Sequence, residues 1–182
     1  MLPDIVITEH EGIRVVRDDL ISGGTKQRVL ECWLPELGPG EYVYASPAEG
    51  YAQIALALAC KALGPQYRAH IFVARRKQMH YRTLEAQRQG ATITACENIP
   101  AFNVLAARAR QYVEGSQAKL LPFGLDSERF REWMTALIKG DWRRNERETP
   151  KEVWVTVGSG TLLRCLQNGV AACKVSCCTS RA

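Results

Sequence analysis

The residues best suited to chemistry lie in Asp18-Asp19-Leu20-Ile21-Ser22-Gly23-Gly24-Thr25-Lys26-Gln27-Arg28. A β-branched run, Ile13-Arg14-Val15-Val16-Arg17, precedes them and a helical pattern follows. Two adjacent glycines let the backbone approach a neighbouring group closely, and Lys26 falls in the first turn of the helix. A helix N-terminus already carries partial positive charge from its unpaired N–H groups, so an ammonium is poorly placed there. Crowded by that dipole and partly desolvated, Lys26 would have a lowered pKa and could act as an amine nucleophile. A solvated lysine after a glycine turn is the plainer alternative.

A second constellation lies far downstream. Gly158-Ser159-Gly160-Thr161 stands between a run of strand-forming residues and a short helical pattern, and reads as a phosphate cradle. Glycines let backbone N–H groups converge on one anion, the hydroxyls of Ser159 and Thr161 add donors, and the helix end adds its dipole. No Gly-Lys-Ser/Thr follows, so this is no Walker loop, and the spacing is not that of the dinucleotide fingerprint. An amine nucleophile at one strand end and a phosphate cradle at another are together what pyridoxal phosphate requires.

The elements that position these groups alternate. Lys26 to Leu34 reads as a helix ended by Pro35 and Gly38-Pro39-Gly40, and Glu41 to Ala45 as a strand. Ser46-Pro47-Ala48-Glu49 carries three signals of a helix start: serine at the N-cap, proline at N1, and glutamate completing a capping box. Its helix stops at Gly64-Pro65. Ala69 to Ala74 is a strand, Tyr81 to Gln89 a helix, and Ala91 to Thr94 a strand. Pro100 opens a helix to Glu114, and Lys119 to Leu121 is a short strand. Asp126 caps an amphipathic helix on which Phe130, Trp133, Met134, Leu137 and Ile138 share a face, with Gly140 at its end. The charged stretch Asp141 to Lys151 reads as an exposed loop. Val153 to Val157, apolar on both faces, is expected to lie centrally in a parallel sheet, and Leu162 to Gln167 is a short helix. Strands alternating with helices across short Gly- or Pro-marked connections predict an α/β fold with parallel sheet layers and flanking helices. Ligands in such sheets gather at the carboxyl ends of the strands, where Lys26, Ser46 and Gly158 to Thr161 all fall.

The bulk composition restricts the function classes. The chain has 182 residues, 46% hydrophobic and 24% charged, with a formal charge of +5, which describes an ordinary soluble protein. The clusters Arg75-Arg76-Lys77 and Arg143-Arg144 read as solvated faces, so nucleic acid is not expected as the primary partner. No secretory signal is seen at Met1-Leu2-Pro3-Asp4, and the apolar run Ile54 to Cys60 is too short to span a bilayer. The odd set of seven cysteines (Cys32, Cys60, Cys96, Cys165, Cys173, Cys177 and Cys178) argues for reduced thiols and a cytoplasmic location. Without a Cys-x-x-Cys pair or a neighbouring histidine, no metal site is expected.

The segment Asp18 to Arg28 resembles the cofactor-lysine segment of fold-type-II pyridoxal-phosphate enzymes. This is the tryptophan-synthase-β-like superfamily, and the similarity is greatest to the aminocyclopropane-carboxylate deaminase and D-cysteine desulfhydrase branch. Ser46-Pro47-Ala48-Glu49-Gly50-Tyr51-Ala52-Gln53 stands where that family has a serine-containing loop, and Gly158 to Thr161 where it has its phosphate loop. The resemblance implies pyridoxal 5'-phosphate as cofactor, a Schiff base on Lys26, and a phosphate held by Gly158, Ser159, Gly160 and Thr161. It implies that Ser46 and its neighbours Glu49, Gly50 and Gln53 receive the carboxylate of a small amino-acid-like substrate. Lyase or deaminase chemistry would follow, with Lys26 moving the α-proton. A larger cofactor lobe is expected from residues 1–45 and 118–182 and a smaller α/β lobe from 46–117.

The chain departs from the family pattern in three ways. Ala48-Glu49-Gly50 replaces the usual asparagine and its neighbour, and Glu49 would repel a substrate carboxylate, which leaves the capping box as its expected task. The phosphate loop is one glycine shorter. Family members also run well beyond this length, so the larger lobe is expected to lack its C-terminal part, and Val170 to Ala182 resembles no family segment. An incomplete sheet edge would favour a homodimer. Two other functions stay open at this point: a non-catalytic α/β domain that binds a phosphate ligand, and a phage enzyme tailoring modified pyrimidines in DNA.

Overall fold

The computed structural model describes residues 5–145, 150–169 and 174–179. Met1-Leu2-Pro3-Asp4, residues 146–149 of the charged stretch, residues 170–173 and residues 180–182 of the tail lie outside them. The chain forms two compact units, Ser22–Phe123 and Met1–Ile21 with Gly124–Ala182.

The first unit is built on a four-stranded, wholly parallel sheet. Its strands are β3 (Gly40–Ala45), β4 (Tyr67–Ala74), β5 (Thr92–Cys96) and β6 (Lys119–Leu120), in the order β5-β4-β3-β6. The expected lobe boundary falls after residue 45, whereas β3 pairs along its whole length with β4, so both lie in this unit. Helix α1 (Gly24–Leu37) leads into β3, and helices α2 (Ala52–Leu63), α3 (Tyr81–Arg88) and α4 (Phe102–Glu114) connect the strands. Period-2 alternation along β3 sends Val43 and Ala45 to one face, where they pack with Phe72 against Leu105 and Ala109 of α4. Tyr42 points the other way, and its hydroxyl donates to the Leu34 carbonyl of α1 at 3.0 Å.

Three expected boundaries shift in this unit. Helix α1 runs through Pro35 to Leu37 because the proline sits in the last turn. There the Gly38 N–H closes on the Pro35 carbonyl at 3.1 Å, and the Tyr42 hydroxyl also reaches the Gly38 carbonyl. Pro100 precedes the N-cap of α4, Ala101, rather than occupying N1. The Ser46 capping box does not form, since α2 begins only at Ala52. Residues 46–50 instead make a turn in which the Gly50 N–H bonds the Pro47 carbonyl at 2.8 Å.

The second unit opens with an antiparallel hairpin of β1 (Ile7–His10) and β2 (Ile13–Val16). Glu11 and Gly12 both take positive φ (50° and 77°), the geometry of a two-residue hairpin turn. Its longest helix, α5 (Glu128–Asn145), continues past Gly140 into the stretch expected as a loop, and buries Phe130, Met134 and Ile138. Ser127 starts α5 by accepting the Phe130 N–H at 3.2 Å, so Asp126 is not the cap. Asp126 instead pairs with Arg131 at 2.6 Å and with Arg164. Strand β7 (Glu152–Val157) leads into α6 (Thr161–Gly169), which packs on α5. Among the described residues β7 pairs only with β8 (Lys174–Thr179), in parallel, and Trp154 is 64% exposed. The expected central position is therefore not observed for β7, and part of the tail that resembled nothing is a strand.

Candidate functional site

Lys26 is the third residue of α1, and the two glycines before it have separate reasons. A Cβ on Gly23 would lie 2.4 Å from Gln27 Oε1, so only glycine lets the helix close over that residue. Gly24 takes φ +61°, in the left-handed region that glycine enters without cost. The turn thus places Lys26 in the first helical turn, half-buried. Burial alone pushes its pKa down from the ordinary lysine value, with no carboxylate countering it.

The serine loop is tied to this turn within the same unit. The Tyr51 hydroxyl donates to the Ser22 carbonyl at 2.7 Å, linking residues 46–51 to the backbone just ahead of Lys26. Ser46 is buried, its N–H bonds the Phe72 carbonyl at 2.9 Å, and its Oγ donates to the Pro47 carbonyl at 2.9 Å. Gly50 must be small, since a Cβ there would stand 2.7 Å from Ser46 Oγ. Gln53 is fully buried beneath the loop, and its Nε2 donates to the carbonyls of Ala48 (3.0 Å) and Gly50 (2.8 Å). Those bonds hold the loop open where a capping box would have wound it into helix. Glu49 faces outward onto Arg76 at 2.6 Å; its own backbone N–H, then Arg76, holds its carboxyl below the usual carboxylate range.

Gly158, Ser159, Gly160 and Thr161 belong to the other unit, at the carboxyl end of β7 and the N-terminus of α6. The Arg164 N–H bonds the Gly160 carbonyl at 3.1 Å, so the amides of Thr161, Leu162 and Leu163 precede the first full helical bond. Thr161 is buried; its hydroxyl donates to the Gly124 carbonyl at 3.2 Å and lies 3.1 Å from Ser159 Oγ. A Cβ on Gly158 would meet nothing within 4 Å, so the chain is open at that position, and a Cβ on Gly160 would meet Arg164 Nη1 at 3.3 Å.

No protein-family model matches the sequence, and no curated protein matches it. Solved structures do match. An ACC deaminase homologue superposes with a TM-score of 0.72 at 18% identity, over 87% of this chain and 51% of that one. A threonine deaminase from T.th. gives 0.69 at 21% identity, over 92% and 55%. A pyridoxal 5'-phosphate-dependent aspartate racemase gives 0.66 at 17% identity, over 90% and 50%. The fold is that of fold-type-II pyridoxal-phosphate enzymes.

The chain spans about half the length of the fold-type-II structures it matches. Among its described residues no helix is long and apolar enough to cross a membrane. Next to the candidate residues the fold places three that the sequence did not single out: Tyr51, which ties the serine loop to Ser22, Gly124, which lies under Ser159, and Arg164, which lies beside Gly160. Gly124 and Ser159 are far apart in sequence, and no local pattern marks their contact.

The lowered pKa of Lys26 has a definite sign in stability. Burial disfavours the ammonium only in the folded chain. Between the lowered value and the ordinary one, the unfolded chain therefore holds more protons, and stability rises with pH across that window. Below the window the full penalty remains. Lys26→Met is expected to melt above the parent at neutral pH and to lose that advantage as pH climbs past the ordinary lysine range, in thermal melts followed by circular dichroism.

Proposed function

We propose that the chain serves pyridoxal-phosphate-dependent chemistry on a small amino acid or amino-acid-bearing metabolite, as a lyase or deaminase. The observation that carries the reading is Lys26, an amine with a pKa lowered by burial, set by Gly23-Gly24 in a turn that Tyr51 joins to the serine loop. The residues present fit the cofactor. Gly158 leaves open space, and the amides at the start of α6 with the half-buried hydroxyl of Ser159 are donors suited to a phosphate, while Thr161 has its proton on the Gly124 carbonyl. Arg164 adds a cation beside Gly160 and is steadied by Asp126.

When bound, pyridoxal phosphate supplies a carbonyl that amines attack and a ring that accepts electrons. Lys26 is the chain's amine for that carbonyl, and its Nζ is the base that takes and returns the proton at the substrate α-carbon. A lowered pKa suits both tasks, because only the neutral amine attacks or accepts a proton. Ser46 Oγ has its proton on the adjacent Pro47 carbonyl and can turn it to a substrate carboxylate. Gln53 keeps the loop in shape from beneath, and Arg76 draws the Glu49 charge aside.

The test is direct. The chain is incubated with pyridoxal phosphate, its absorbance is followed at the violet edge of the visible, and it is then reduced with borohydride and digested. A new band and a reduced pyridoxyl mass on the Lys26 peptide are expected. No band with excess cofactor, or mass spread evenly over surface lysines, overturns the reading.

A further inference from the structure

We propose that a cavity at the carboxyl ends of β4 and β5 is a binding site for a phosphorylated small molecule with an apolar or aromatic body. The cavity measures about 440 Å³ and lies wholly within the first unit. Its floor is apolar, from Val73, Ala74, Met79 and Ala95, and its wall includes Ala48 of the serine loop. Arg75, Arg76 and Lys77 line it as well, three consecutive cations where β4 runs out of the sheet. Carboxyl ends of parallel strands are where open α/β sheets take their ligands. A basic wall on an apolar floor suits a molecule that is anionic at one end and apolar at the other.

The ion pairs around the cavity favour a phosphate over a single carboxylate. Arg75 already pairs with Glu97 at 2.5 Å and Arg76 with Glu49 at 2.6 Å, so a monoanion would only repeat what these arginines have. These side chains are at least half exposed, and exposed pairs of this kind exchange partners at little cost. A phosphate dianion adds charge and a third oxygen, and both arginines can bind it in a bidentate manner. Lys77 makes no ion pair with any described residue and supplies a further cation. His80 also lines the cavity; its Nδ1 accepts the Arg82 N–H at 3.3 Å, so its Nε2 carries the ring proton and can donate.

The site is coupled to the serine loop. Arg76 holds Glu49 by its carboxylate and Arg82 holds it by its carbonyl. A phosphate that engages Arg76 therefore competes with Glu49 and loosens one of the two ties on that loop.

Calorimetric titration of the whole chain with phenyl phosphate, inorganic phosphate and phenol tests the site. Phenyl phosphate is expected to bind more tightly than either fragment, and Arg75→Ala/Lys77→Ala to weaken it about tenfold or more. Ala95→Leu, which fills the floor, should erase the advantage over inorganic phosphate. The double variant should keep the absorbance band formed with pyridoxal phosphate, so failure here and failure of the cofactor reading are separate results. Equal affinity for phenyl and inorganic phosphate, or affinity unchanged in the double variant, overturns the proposal. Tighter, steeply salt-dependent binding of a single-stranded oligothymidylate, lost in the same variant, would also overturn it and make this a nucleic-acid surface.

Discussion

Lys26→Ala, treated with pyridoxal phosphate and borohydride, is expected to take up no cofactor mass at neutral pH and to form no band at the violet edge. The reason is that burial lowers the pKa of the Lys26 amine. Each unit by which burial lowers an amine's pKa multiplies its neutral fraction about tenfold at a pH below that value. Among the described residues, Lys26 is the lysine for which burial resolves such a lowering. An amine at the ordinary lysine value is almost wholly protonated at neutral pH and reacts correspondingly slowly. Lys26→Arg separates nucleophile from charge, because it keeps a cation in the first turn of α1 but has no amine, and it should fail as completely as alanine. Both variants should keep the parent's far-ultraviolet circular dichroism, since the side chain anchors no other described residue. Capture at the parent's rate in Lys26→Ala would move the nucleophile elsewhere.

Much of this was legible because hydrophobic periodicity is a local signal. The aromatic and β-branched runs at Tyr42-Val43-Tyr44 and His70-Ile71-Phe72-Val73 mark strands near their observed ends, and the Gly- and Pro-marked connections mark the sheet as parallel, though not the order of its strands. The misread positions are those where a distant partner wins. Ser46-Pro47-Ala48-Glu49 has every mark of a helix start, yet Gln53 takes the loop carbonyls and Arg76 takes Glu49, so the turn stays unwound. Asp126 looks like a cap until Arg131 and Arg164 claim its two oxygens, leaving the cap to Ser127. The tail strand β8 shows no alternation because its pairing with β7, more than twenty residues away, defines it. Candidate residues for chemistry are easier to name from the sequence than the residues packed beneath them. Lys26 and Gly158 to Thr161 announce themselves by type, whereas Gly124 matters only through a contact across the fold.

That contact makes a paired prediction. Gly124 takes φ +69°, and a Cβ on it would stand 2.6 Å from Ser159 Cβ and 2.7 Å from Ser159 Oγ. Alanine there costs about 1–2 kcal/mol in the left-handed backbone alone, and the clash must also displace Ser159. For a chain of this size each kcal/mol lowers the melting temperature by roughly 2–4 °C. Gly124→Ala should therefore lower the melting temperature and weaken pyridoxal phosphate binding together. Gly158→Ala should do only the second. Its Cβ would meet nothing within 4 Å, so the fold accepts it, but the methyl would enter the open space at the end of β7 that the proposed phosphate would use. A thermal melt with a cofactor titration read by absorbance checks both, and about a tenfold or greater loss of affinity is expected for each. Gly158→Ala binding as tightly as the parent would show that the phosphate lies elsewhere. An unchanged melting temperature in Gly124→Ala would mean that the chain beneath Ser159 yields more easily than its close packing implies.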